Sequence, residues 1–174
     1  MRVVRCPPMS AARSEFHITP ATPADVPLIL SLITELAEYE QLAHEVRATE
    51  PLLHDALFGA SPIAHAVIAR AGDDTPAGFA LYFFSFSTFV GRPGLYLEDL
   101  FVRPAFRKRG IGRGLLAHLA RTAVERGCGR MEWAVLNWNE MALRVYRGIG
   151  AQPMDQWTVQ RLAGKALVDL AAQA

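Results

Sequence analysis

Leu95-Tyr96-Leu97-Glu98-Asp99-Leu100-Phe101-Val102 and, after four intervening residues, Arg107-Lys108-Arg109-Gly110-Ile111-Gly112-Arg113-Gly114 form the stretch from which the fold is read. The first segment is an apolar strand with two acids at its centre. Neighbouring strand residues point to opposite faces, so regular geometry groups Glu98 with Tyr96, Leu100 and Val102, and Asp99 with Leu97 and Phe101. Carboxylates inside an apolar strand are costly unless paired or facing a polar cleft, which leaves a structural ion pair and a functional cleft as the two readings. The second segment is a Gly/Arg loop that opens a helix predicted over 112–126. Its glycines allow backbone N–H groups to converge, and the helix start adds unpaired donors and the positive dipole end. An anion, most simply a pyrophosphate, suits that loop; a basic turn meeting only solvent is the alternative. A dinucleotide fingerprint would need Gly at 115, where the chain has Leu115, and the Gly-Lys-Ser/Thr of a Walker loop is absent.

Upstream, 17–19 reads as a short first strand. Thr22, Pro23 and Asp25 then supply the N-cap, the N1 proline and the N3 acid of a helix. Val26, Ile29, Leu30, Ile33, Leu36 and Ala37 recur along it at helical spacing. Thr49-Glu50-Pro51 starts a shorter helix ending near Gly59. Strands are predicted over 63–71 and 78–87, joined by a turn at 72–76, and a polar loop through Gly91, Pro93 and Gly94 leads into the central strand. Downstream come a strand over 131–136, whose alternating Met131, Trp133 and Val135 are assigned to the core, a helix over 139–148, a final strand and a short helix. Strands that first follow one another and then alternate with helices predict a mixed α/β sheet.

The chain has 174 residues, 18 Lys+Arg against 17 Asp+Glu, and 51% hydrophobic residues, the composition of one compact soluble domain. Such a length buries a core without disulfide or metal, so Cys6 and Cys128 are expected as reduced thiols and the five scattered histidines as structural residues, with no metal site. A net charge of +1 argues against a nucleic-acid coat, and no apolar run approaches the roughly 20 residues of a membrane helix, so neither nucleic acid nor membrane is expected as a partner. Residues 1–14, with three arginines, Pro7 and Pro8, are expected to be a disordered extension, with Met1 or Met9 as the start, before a single domain over 15–174 in a cytoplasmic protein. Charge is distributed unevenly. Six acids (Glu35, Glu38, Glu40, Glu45, Glu50, Asp55) fall between 35 and 55, and five cations (Arg103, Arg107, Lys108, Arg109, Arg113) between 103 and 113. If both line one site, it suits a cationic ligand at one end and an anionic one at the other; two solvated faces are the alternative.

A third segment, Asn137-Trp138-Asn139-Glu140-Met141-Ala142-Leu143-Arg144-Val145-Tyr146, runs from a strand end into a helix, and on its own it reads most simply as an N-capped helix with Tyr146 in the core. Taken together, Phe101-Val102-Arg103-Pro104, Arg107-x-x-Gly110-x-Gly112 and the following helix resemble the acyl-CoA signature of the GNAT N-acetyltransferase superfamily. The likeness is closest to its diamine (spermidine/spermine) and thialysine acetyltransferase branch. It includes Leu32-Ile33-x-Glu35-Leu36-Ala37-x-Tyr39-Glu40, Gly78-Phe79-Ala80-x-Tyr82, the strand 95–102, and Trp138-Asn139-Glu140 ending in Tyr146, and spans about 16–162.

That resemblance implies the acyl-CoA N-acyltransferase fold, a mixed, mostly antiparallel central sheet flanked by helices. It implies acetyl-CoA as co-substrate, held at its pyrophosphate by Arg107, Lys108, Arg109, Gly110, Ile111, Gly112 and Arg113. Backbone groups of Leu100, Phe101 and Val102 would pair with the pantetheine arm, and Asn139 would contact the cofactor. Glu98 would be the base, Tyr146 the acid beside the sulfur, and Tyr39, Glu40, Glu98 and Asp99 the grip on a small cationic amine such as a polyamine, diamine or thialysine-like amino acid. A homodimer is implied as well. Another small amine, a protein lysine, or a non-catalytic CoA-binding module are the competing functions. Polyamine-preferring relatives carry an acid and Trp where this chain has Ser87, Thr88 and Phe89, which leaves the identity of the amine open. The chemistry makes matching demands. A primary amine of pKa about 10.4 is unprotonated in roughly one molecule per thousand at neutral pH, so a carboxylate acceptor is needed, and a neutral Tyr can protonate the departing thiolate.

Overall fold

The computed structural model describes residues 16–174; the predicted extension over 1–14 lies outside the described residues. The chain falls into two compact units, one ending at Ala134 and the other Val135–Ala174. In the first, β1 (Phe16–Pro20), β2 (His65–Ala71), β3 (Pro76–Ser87), β4 (Arg92–Val102) and β5 (Arg130–Trp133) form one sheet in that order. Every pairing is antiparallel except β4 with β5, which is parallel because α3 (Ile111–Glu125) carries the chain across between them. The mixed, mostly antiparallel sheet flanked by helices is therefore as expected.

Helices cover both faces. On one, α1 (Val26–Tyr39) and α2 (Glu50–Phe58) bring Val26, Ile29, Leu32, Leu53 and Leu57 onto Ala66, Ile68, Phe79, Leu81 and Phe101. Leu32, fully buried, lies outside the predicted stripe, while Leu30, Ile33 and Leu36 are only partly buried. The start of α1 follows its sequence signal: the Thr22 amide donates to Asp25 Oδ2 at 2.8 Å, and Arg70 Nη2 donates to the same carboxylate's Oδ1 at 2.7 Å. On the other face α3 buries Ile111, Leu115, Leu116 and Leu119, and packs so closely on β1 that a Cβ at Gly114 would stand 2.7 Å from the Phe16 ring.

Two boundary differences bear on the site. β4 begins at Arg92, so Pro93 and Gly94 of the predicted loop are strand residues paired with Phe86 and Ser85. β5 stops at Trp133, and Met131 and Trp133 are only half-buried rather than core. Among the described residues no helix is long and apolar enough to cross a membrane.

The second unit holds α4 (Glu140–Gly148) and α5 (Gly164–Ala171). The predicted final strand is absent: 151–163 is irregular, with one turn bond from the Trp157 amide to the Met154 carbonyl at 3.0 Å. A strand exists only when an edge pairs with it, and no strand among the described residues of this unit offers one.

Candidate active site

β4 and β3 keep register from Val102 opposite Gly78 to Asp99 opposite Leu81, and then Tyr82 faces Leu97. Glu98 is the extra residue of a β-bulge. The bulge reverses the expected faces. Asp99 and Phe101 lie on the α1 side with their partners Leu81 and Phe79, whereas Leu97 lies with Tyr82 on the α3 side. The predicted grouping of Asp99 with Leu97 is thus corrected, because one inserted residue switches every side chain beyond it.

β5 pairs with β4 only from Gly94 to Leu97, so the outer edge of β4 is open from Glu98 onward. The Arg103 amide donates to the Ala77 carbonyl at 2.9 Å. By alternation Phe101 also turns its backbone groups toward β3, and those of Leu100 and Val102 point to the open edge. Of the three residues expected to offer backbone groups to a ligand, Leu100 and Val102 turn theirs to the open edge, where the Val102 carbonyl accepts from Arg107 Nε at 2.9 Å, and Phe101 turns its groups to β3. Its side chain is core.

Acids gather at the bulge. Glu98 is exposed, while Asp99 is half-buried. Burial, and then the nearby charges of Glu98 and Glu40, push the Asp99 carboxyl up to about 6. Burial also raises Glu40 at the end of α1. Glu35 takes no part in this cluster: Arg103 grips it through Nη2 at 2.6 Å and Nε at 2.9 Å, and that hydrogen bonding holds its carboxyl below the ordinary range. This ion pair is not visible in the sequence, since its partners stand 68 residues apart.

Across the break lies the Gly/Arg loop. Lys108 at φ 62° and Gly110 at φ 81° adopt left-handed backbone, which turns the chain into α3. The first amide bonded within α3 is that of Gly114, to the Gly110 carbonyl at 2.8 Å, so the amides of Ile111, Gly112 and Arg113 form the unpaired first turn. Ile111 contributes only its backbone, since its side chain is buried. Gly112 sits over the open edge, where a Cβ would stand 3.8 Å from Val102 Cγ2. Arg107, half-buried, is turned to the Tyr39 ring at 4.5 Å, and Arg109 to the Phe106 ring at 5.3 Å, while Lys108, Arg109 and Arg113 are all exposed. In the second unit Asn139 Oδ1 accepts from the Ala142 amide at 3.2 Å and caps α4. Tyr146, two residues before the end of that helix, is half-buried rather than core.

The sequence pattern of the Acetyltransferase (GNAT) family matches residues 29–151. The chain belongs to the GNAT acetyltransferase family. It is 37% identical over 166 residues to thialysine N-epsilon-acetyltransferase of Bos taurus, covering 90% of this chain and 97% of that one. It is 33% identical to L-ornithine N5-acetyltransferase of Arabidopsis thaliana, covering 84% of each. Among solved structures, an integron cassette protein from the mobile metagenome of V. cholerae superimposes with a TM-score of 0.75 at 27% identity, covering 90% of this chain and 98% of that one. As a GNAT acetyltransferase the chain is an acyl-CoA-dependent N-acetyltransferase, and its residues suit that co-substrate: three unpaired amides beside three exposed cations match a diphosphate, and an open strand edge matches an amide-bearing arm.

Proposed function

We propose that this GNAT acetyltransferase acetylates a primary amine of a small cationic molecule, a diamine, polyamine or thialysine-like amino acid, from acetyl-CoA. The observation that carries the reading is the cluster of the carboxylates Glu40, Glu98 and Asp99 beside the open edge of β4. A carboxylate group in such a place attracts and orients a cation. The relatives named for thialysine and L-ornithine act on amines of this kind.

Bound acetyl-CoA supplies an activated acetyl group. Ile111, Gly112 and Arg113 amides with Lys108 and Arg113 hold the diphosphate, and Leu100 and Val102 offer backbone groups to the arm. Tyr39 and Glu40 grip the amine. The sequence reading assigns the base to Glu98; Asp99 has the stronger claim, because a carboxyl near 6 is ionised at neutral pH yet more basic than an ordinary one. Asp99 takes the proton from the ammonium, Glu98 holds the charge in place, and Tyr146 returns a proton to the departing sulfur. Asn139 acts by fixing the start of the helix that carries Tyr146. In this reading the enzyme is cytoplasmic and a homodimer; the exposed apolar residues Met154, Trp157 and Val159 of the second unit support the dimer, and sedimentation velocity at micromolar concentration tests it. The experiment that tests the function is thiol release from acetyl-CoA across polyamines, diamines, thialysine, lysine and aminoglycosides. Turnover concentrated in the first three classes is expected, and turnover with none of the amines overturns the reading.

A further inference from the structure

A cavity of about 250 Å³ lies between the C-terminal half of α3, the start of β2 and the end of α2. Thr122, on its α3 wall, stands 11 positions beyond Ile111, so the cavity is about 16 Å along the helix from the amides of the Gly/Arg loop. None of the residues assigned above to acetyl-CoA or to the amine lines it. Two of the five histidines expected to be structural meet there, because His65 and His118 line the cavity together with Tyr82 and Thr122. Leu57 and Val67 supply part of its apolar wall.

Tyr82 points to a ligand. Only 8% exposed, it packs its ring on His65 at 5.3 Å and on Phe84 at 5.9 Å, and its hydroxyl has no hydrogen-bond partner among the described residues. No side-chain oxygen or nitrogen among those residues is both sealed and unbonded, so the hydroxyl opens onto the cavity it lines. A phenol buried to this degree ordinarily finds a partner. The charges around it decide the kind. Burial, with Arg126 at His65 and Arg121 at His118, holds both imidazoles below the ordinary histidine range, although Glu125 opposes the shift at His118. Each ring is therefore neutral at pH 7 and offers one N–H. No carboxylate lines the cavity. Arg126, exposed at the end of α3, lies over the Phe84 ring at 5.4 Å, and its charge reaches His65 and Tyr82. Donors in a positive field select an anion over a cation. Size sets the rest: an apolar cavity of about 150 Å³ admits benzene, so this one admits a ring with a small substituent.

We infer that this cavity is a binding site for a small aromatic carboxylate, with the ring against Leu57, Val67 and the paired His65 and Tyr82 rings and the carboxylate accepting from the Tyr82 hydroxyl and an imidazole N–H. The site is separate from acetyl transfer and does not depend on which amine is acetylated.

Benzoate, benzamide and benzylamine share one ring and differ in charge. Each is titrated at pH 7 into the full chain with coenzyme A saturating, and followed by the imidazole 1H–13C resonances of the five histidines, assigned by single His→Gln variants. Benzoate should shift His65 and His118 along one saturable curve with a Kd on the order of 1 mM, and leave His17 and His44 unmoved. Benzamide should bind at least about fivefold more weakly, and benzylamine should not saturate at His65. Tyr82→Phe keeps the ring and removes one oxygen; it should weaken benzoate about tenfold. Arg126→Gln, at an exposed position, should weaken benzoate about threefold and leave benzamide unchanged. Absence of a saturable shift at His65 and His118, equal binding of the three probes, or wild-type affinity for benzoate in Tyr82→Phe each overturns the inference.

Discussion

Replacing Asp99 by Asn tests the electrostatics of the bulge most directly. The two side chains have nearly the same shape, so packing at the bulge is kept and the ionised charge is removed. In the folded chain the Asp99 carboxyl is displaced from its ordinary 3.8 to about 6, mainly by burial. A folded value above the unfolded one means that stability from this group is fully present below about 3.8 and is lost as pH rises through about 6. Above that, ionised Asp99 costs about 3 kcal/mol, at roughly 1.4 per tenfold. Asn also buries a polar group, so the expected gain at pH 8 is about 2–3 kcal/mol, or about 5–10 °C in Tm for a chain of this length. At pH 4 the two proteins should melt together. Acetyl transfer should nonetheless fall by about 10² to 10⁴, as for loss of a proton acceptor. Melting curves at pH 4, 6 and 8 with thiol-release rates at pH 7.5 make the comparison. An Asp99→Asn variant that is no more stable than wild type at pH 8, or a gain independent of pH, would refute the argument that Asp99 is held ionised at an energetic cost.

Glu98→Gln removes a negative neighbour and should lower the Asp99 value from about 6, moving the acid limb of the kcat/KM profile to lower pH. If Glu98 were itself the base, turnover would drop and the optimum would move upward, so a pH–rate profile distinguishes the two. Lys108→Ala with Arg113→Ala should weaken acetyl-CoA about tenfold by calorimetry, with a steeper salt dependence in the wild type, and leave amine KM unchanged. Gly78→Ala should destabilise by about 2–3 kcal/mol or prevent folding in thermal melts, because the new Cβ would run into the Phe101 carbonyl of the paired strand, and backbone cannot give way as a side-chain end can.

Local signals carry most of the fold. The cap at Thr22, the apolar period of α1, the Asn139 cap of α4 and the strand–loop–helix at 95–114 are all specified by residues within a few positions of one another. The bulge is hidden for a definite reason. Leu95, Leu97 and Phe101 are all buried and all odd-numbered, so the alternation runs through position 98 without a break. Helices cover both sides of the sheet, so each face accepts apolar residues, and a strand buried on both faces does not record a change of side. The Arg103–Glu35 pair and the Arg107–Tyr39 contact are hidden because they join residues roughly seventy positions apart, which only the sheet brings together. The predicted final strand fails for a different reason: pairing makes a strand, and 151–163 is irregular.

The two charge runs meet after all, though in a different way from simple complementarity. Arg103 is consumed by Glu35 and Arg107 by Tyr39 and the Val102 carbonyl, so the cations nearest the acidic run are bound in place as structural contacts between α1 and the end of β4. Those contacts hold the two segments together and also keep the two guanidinium groups committed to Glu35 and to the Tyr39 ring rather than to Glu40, Glu98 and Asp99. With them engaged, the raised carboxyl at Asp99 persists because burial and its acidic neighbours outweigh any cation. The exposed Lys108, Arg109 and Arg113 lie further along the loop, by the amides at the start of α3. One short stretch, 103–113, thus holds an inner pair that ties α1 to the end of β4 and an outer set that suits a diphosphate. The separation of opposite fields across a few residues is what a transfer from an anionic donor to a cationic acceptor requires.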